Sequence, residues 1–127
     1  MIGSLIFAAT FVCSPIVVWD GDGPLWCAEG QKIRISGVAA RELDGTCRAG
    51  HPCPVATGIA ARDALVELVG EPVGLWETGQ VAVRGPRLQC TTLGESYGRV
   101  VARCRLADGR DLATAMMATG TVLPWRD

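Results

Sequence analysis

A surplus of cationic charge is the first thing the sequence lacks. Its 12 basic residues stand against 13 acidic ones, for a net charge of −1. A protein that grips nucleic acid by bulk electrostatics needs several clustered cations, so a broad basic groove is disfavoured. Lysine is nearly absent: Lys32 stands alone, and the other 11 basic residues are arginines. Arginine is the better phosphate fork, so a focused phosphate site stays open to this composition. Internal repeats, low-complexity tracts and a recognisable linker are also lacking. The apolar start MIGSLIFAATFVCSP has no basic n-region and is too short to span a bilayer as a helix. Residues 1–12 read either as a short or truncated export signal or, in their second half, as the lead-in to the first strand.

What is present fits one compact domain with a substantial core: 127 residues, 49% hydrophobic and 20% charged. Sixteen glycines and seven prolines favour strands and turns over long helices. Six cysteines in so short a chain favour a disulfide framework, and with it an oxidising compartment, periplasmic or secreted. Cys13 and Cys27 flank a DGDG turn almost symmetrically, Cys90 and Cys104 flank GESYG in the same way, and Cys47 and Cys53 close the short loop CRAGHPC. Three sequential bridges would use every thiol. Spacing does not prove connectivity, and Cys47, His51 and Cys53 could instead hold a metal, although a zinc site normally needs a fourth ligand.

SPIVVW and PLWCA read as two strands joined at DGDG, and QKIRISGV as a third. In the third, Ile33, Ile35 and Gly37 share one face, leaving Lys32, Arg34 and Ser36 on the other. Ala39 to Pro54 reads as a loop. ATGIAARDALVELVG reads as a helix with Ile59, Leu65, Leu68 and Val69 on its apolar face, Thr57 as its cap and Gly70 as its stop. VAVRGPRLQC and GRVVARCRL are two further strands. DLATAMMATG is a short helix capped by Asp111 and stopped by Gly120, with Met116 in the core and Met117 at its edge. The expected fold is therefore mainly β with helices (α+β). A five-stranded antiparallel sheet closing into an OB-type barrel, with a helix between strands three and four and a short helix at the C-terminus, leaves the fewest exposed edges.

Four ordered stretches then carry a resemblance. VWDGDG, IRISGVAARE, ESYGRVVARC and DGRDLATAMMATGTV resemble, in order, the D-G-D-T, I-R-L-x-G-I-D-A-P-E, Y-G-R-x-L-A and D-G-x-x-L-N-x-x-L-V-x-x-G-x-A stretches of the staphylococcal nuclease-like (thermonuclease) family. The likeness spans roughly Val17 to Pro124, within a domain taken as residues 13–127. It implies an OB-type fold and calcium-assisted cleavage of phosphodiester bonds in DNA and RNA. By this likeness Asp22 is a calcium ligand; Asp20, which the family pattern does not predict, is a doubtful second one. Arg34 and Arg99 are the phosphate-clamping arginines, and Glu42 activates or positions the attacking water. Tyr97 lines the nucleotide pocket, and Trp125 is the best candidate for stacking on a base. A hard, oxygen-ligated cation would polarise the phosphoryl group, two guanidinium forks complement its oxygens, and a carboxylate beside water serves as base.

The departures are as specific as the likeness. Ala39 stands where the family has its second calcium-ligating aspartate, Arg41 replaces the proline, and Gly23 replaces the threonine of D-G-D-T. Calcium takes six to eight oxygens, so losing a charged ligand weakens the site. Two function classes follow. One is a thermonuclease-like phosphodiesterase with weakened or altered calcium dependence; the other is a non-catalytic OB module binding nucleic acid, a nucleotide or a protein partner. Plainer roles also compete. Asp-Gly pairs make tight turns whatever their function, arginines pair on surfaces, and His51 serves turn packing. Trp19, Trp26 and Trp76 fill core or cross-strand positions.

Overall fold

The computed structural model describes residues 9–126. The expectation of an export signal in residues 1–12 therefore lies largely outside the described residues. The first apolar runs alternate strongly enough to form strands β1 (Thr10–Cys13), β2 (Pro15–Val18) and β3 (Leu25–Cys27), with β2 and β3 antiparallel around the DGDG turn. Gly23 holds φ at +103° there, and a side chain on it would collide with the carbonyl of Ile33. Strand β4 (Lys32–Ile35) follows against β3, and the two-residue β5 (Val38–Ala39) lies within the stretch expected to run into the loop.

Helix α1 (Gly58–Val69) begins where Thr57 accepts a hydrogen bond from the Ala60 N–H at 3.0 Å, and it ends at Gly70. A hairpin of β6 (Glu71–Leu75) and β7 (Val81–Arg84) comes next, then β8 (Leu88–Ser96) and β9 (Arg99–Arg105). Helix α2 (Leu112–Ala118) is capped by Asp111, whose carboxylate accepts from the Thr114 N–H at 3.0 Å. Strand β10 (Leu123–Pro124) returns to pair with β5.

The main sheet runs β1-β8-β9-β4-β3-β2-β7-β6. Only Ser14 separates β1 from β2, yet β1 pairs with β8 while β2 pairs with β3 and β7. The chain thus ties one end of the sheet to its interior, and the sheet curls. The result is a mixed α+β fold: a curled, barrel-like sheet with two helices. Its core holds Val18, Leu25, Ile33, Ile35, Leu65, Leu88, Leu112 and Met116, all essentially inaccessible to solvent.

Two expectations about the sheet need correction. It has eight strands rather than five, because β1 precedes Ser14 as a strand of its own, because β6 is added beside β7, and because the stretch VAVRGPRLQC, expected as one strand, divides into β7 and β8. Nor is it wholly antiparallel: β4 and β9 run parallel, pairing Arg34 with Val101. The helix between them in sequence gives the chain the long connection that a parallel pair requires. In α1 the buried face is Ala61, Leu65, Val66 and Val69, whereas Ile59 is exposed. At 3.6 residues per turn Ile59 points about 120° away from Leu65.

All six cysteines are paired, as Cys13–Cys27, Cys47–Cys53 and Cys90–Cys104. Both sulfurs of the alternative Cys47–His51–Cys53 metal set are thereby used. Three intramolecular bridges point to an oxidising, extracytoplasmic setting. No helix among the described residues is long and apolar enough to cross a membrane. Four of the six cysteines are buried, but Cys53 is exposed and Cys47 only half-buried. Graded reduction is therefore expected to open Cys47–Cys53 first, at a stability cost of about 2 kcal/mol for so short a loop. Alkylation followed by peptide mass mapping reads the order, and a buried pair opening first would contradict it.

Candidate functional site

The DGDG turn is held from both sides, and that places its two aspartates. Gly21 lets α1 press against the turn, since any side chain there would run into Ala61. On the strand side, the Asp22 carbonyl accepts from the Ile35 N–H at 3.0 Å. Its carboxylate is turned inward: Oδ2 accepts from the Ala40 N–H at 3.0 Å and lies 3.9 Å from Arg34 Nη2. Asp20 is 7% exposed, and its Oδ1 accepts from the Asp22 N–H at 3.4 Å.

Burial pushes the Asp20 carboxyl up to about 10, and hydrogen bonding and charge from Asp22 and then Glu42 push in the same direction. Three carboxyl groups therefore run in sequence, Glu42–Asp20–Asp22, with Asp20 holding a proton at neutral pH. The linkage has a definite sign. Unfolded Asp20 titrates near 3.8, so its contribution to stability is fully present below that pH and is lost as pH rises toward the folded value. Asp20→Asn should remove a slope of about 1.4 kcal/mol per pH unit between pH 5 and 9. Urea midpoints of the two proteins across that range measure it; parallel curves would contradict the protonated carboxyl.

Arg34 was expected on the polar face of its strand, but it is 2% exposed. Its Nη1 donates to the Ile35 carbonyl and its Nη2 to the Val38 carbonyl at 2.9 Å. A buried guanidinium needs such partners, because desolvating an unpaired charge is costly. The parallel register then brings in Arg99. Arg34 pairs with Val101, and Arg99 lies two residues before Val101, so both arginines point to the same side of the sheet. Arg99 Nε donates to the Ser96 carbonyl at 3.3 Å. Partial burial lowers its pKa, the neighbouring guanidinium charges of Arg48 and Arg34 lower it further, and Asp22 and Asp20 oppose them.

Next to these residues lies a cleft of about 840 Å³ whose walls include Arg34, Arg48, His51, Tyr97, Trp125 and Arg126. Tyr97 is 92% exposed and takes a left-handed backbone, φ 50°, in the β8–β9 turn. Trp125 is anchored by its N–H to the Gly37 carbonyl at 2.9 Å, and its ring lies 4.4 Å from that of His51, tilted by 30°. Arg99, Glu42 and the two aspartates are not in its wall; Arg34, which faces Asp22, and Ser96, which accepts from Arg99, are. The structure thus gathers Arg34, Arg99, Asp22, Asp20 and Glu42 into one connected group, with Tyr97 and Trp125 at the adjoining cleft.

Sequence reasoning missed Arg48 and Arg126, and gave His51 a packing role with no partner. The available signal was the density of charged and aromatic residues in CRAGHPC and at the C-terminal end. The other tryptophans are used for packing: Trp19 lies 5.9 Å from Trp26, which meets Trp76 edge-on at 6.2 Å and Lys32 at 4.4 Å.

The carboxyl groups offer few free oxygens for a hard cation as they are arranged. Ala39 brings no side-chain oxygen, and Asp22 Oδ2 is engaged by Ala40 and faces Arg34. Among the described residues no group of three or more His, Cys, Asp or Glu is placed to hold a metal ion. Comparison of the chain with protein-family models, with curated proteins and with solved structures returned no match.

Proposed function

We propose that this protein is a thermonuclease-like phosphodiesterase acting on DNA or RNA, with little dependence on calcium. The observation that carries the reading is the placement of Arg34 and Arg99 on the same side of the sheet, beside the Glu42–Asp20–Asp22 carboxyls. Asp22 answers the charge of Arg34, and an anion bound beside Arg99 would offset the repulsion between the two guanidinium groups. A phosphodiester supplies that anion. The OB-type barrel is part of the same proposal. Counting β1 and β2 as one bent strand gives the circuit β1/β2–β3–β4–β9–β8, with α1 between its third and fourth members.

In the proposed reaction Arg99 donates to the non-bridging oxygens, and the buried charge of Arg34 adds to the positive field behind them. A water attacks phosphorus as the Glu42 carboxylate takes its proton. The bond to the leaving oxygen breaks, and that oxygen is protonated from solvent. Neutral Asp20 next to Glu42 fixes the carboxylate by hydrogen bonding. Trp125 offers an aromatic face to a base.

A specific observation favours a second reading, a non-catalytic nucleic-acid or nucleotide-binding module. Arg34 is committed to the main-chain carbonyls of Ile35 and Val38, and Ala39 leaves the carboxyl group short of an oxygen. A cleavage assay on single-stranded DNA with calcium, with manganese and with chelator separates the two. Cleavage in all three conditions supports the phosphodiesterase, whereas binding without cleavage in any of them leaves the module.

A further inference from the structure

The second wall of the cleft is a covalently closed arm. The loop Cys47–Cys53 brings both Arg48 and His51 to the cavity, and its disulfide spans 5.6 Å between Cα atoms. A turn from the Arg48 carbonyl to the His51 N–H at 3.0 Å sets the two side chains relative to each other. Arg41 braces the loop from the body of the protein. Its Nε donates to the Pro54 carbonyl at 2.6 Å and its Nη1 to the Gly45 carbonyl at 2.8 Å. From the other side, Trp125 is fixed by Gly37 and by the β5–β10 pairing, and meets the His51 ring at 4.4 Å.

This arm is half-buried to exposed and tied down by the disulfide and by Arg41, which hydrophobic burial does not explain. Arg48 is exposed and stands within electrostatic reach of Arg99, so the loop holds a cation against another cation. Arg126 adds a further one to the same wall. A single phosphate shared by Arg34 and Arg99 does not require this extra charge; a chain of phosphates does.

We propose that the Cys47–Cys53 loop is a second phosphate subsite. In it Arg48 holds the phosphate next to the one at Arg34 and Arg99, and His51 acts as a positioning residue that keeps Trp125 stacked toward the intervening base. The cleft then selects an oligonucleotide strand over a mononucleotide. The assignment rests on the phosphodiester reading of the same cleft.

The test measures binding of a cleavage-resistant phosphorothioate oligothymidylate and of thymidine monophosphate to the full chain over a range of salt. Arg48→Ala should weaken oligonucleotide binding roughly tenfold, as expected for one charge-assisted contact, and lower the salt slope by about one. Affinity for the mononucleotide should not change. His51→Ala should weaken the oligonucleotide and alter tryptophan fluorescence, and His51→Phe, which keeps the ring contact, should restore both. Cys47→Ser with Cys53→Ser should behave like Arg48→Ala. If Arg99→Ala loses the oligonucleotide while Arg48→Ala binds it like the wild type, the second subsite is overturned and the phosphodiester reading stands. Equal losses for both ligands in Arg48→Ala would assign Arg48 to the first phosphate and likewise overturn it. A wild type that binds neither ligand overturns both.

Discussion

Arg99→Ala is expected to slow cleavage of single-stranded DNA by roughly 100- to 1,000-fold, the usual loss when one positioned donor to a developing oxyanion is removed. The fold should survive the change. Arg99 makes one weak hydrogen bond, to the Ser96 carbonyl at 3.3 Å, and neighbouring positive charge already disfavours its own. Removing it relieves repulsion with Arg34 and Arg48, so the urea midpoint should stay level or rise slightly. Arg99→Lys should recover only part of the rate, because an ammonium supplies charge but no planar fork. Initial rates and denaturation midpoints measured on the same preparations check this. Equal rates in wild type and Arg99→Ala would remove Arg99 from the reaction.

The opposite signature is expected for Arg34. Its guanidinium is buried, bonded to the Ile35 and Val38 carbonyls and paired with Asp22. Arg34→Ala leaves an uncompensated carboxylate and orphaned carbonyls in the interior, a loss of about 3–5 kcal/mol. That is a large share of the stability of a domain this size. Arg34→Ala combined with Asp22→Ala should recover part of the loss, since both charges then leave together. Urea denaturation of the two single variants and the double variant gives the coupling. A single-variant loss under about 1 kcal/mol would place Arg34 among weakly coupled surface charges.

These two arginines also show what could and could not be read from the chain. That both belong to one site was an expectation the family resemblance of IRIS and YGR carried, and the parallel register of β4 and β9 puts them on the same side of the sheet. The burial of Arg34 was not legible. Strand alternation put it on the polar face, and the turn bearing Asp22 and the Val38 carbonyl of β5 close over its guanidinium. Local signals fared best. Thr57, Gly70 and Asp111 marked helix ends that depend on a few adjacent residues, and the cysteines placed about predicted turns gave the three pairs observed. Pairing across long separations was harder. Neither the bend at Ser14 nor the parallel β4–β9 contact leaves a local trace. Arg48 escaped notice for a related reason: the residues whose cleft it shares, Tyr97 and Trp125 among them, lie far along the chain.

The central claim is that phosphodiesters bind at the arginine cleft, and its most direct measurement is an amide-resolved NMR titration with a short oligothymidylate. The account predicts shifts confined to residues 34–42, 48–51, 96–101 and 125–126, saturating together and weakening with added salt. A second cavity, of about 510 Å³, lies between α1 and β6 and is lined by Val66, Pro72, Leu75 and Val81 among others. Shifts centred on that groove, or no shifts at all, would contradict the claim.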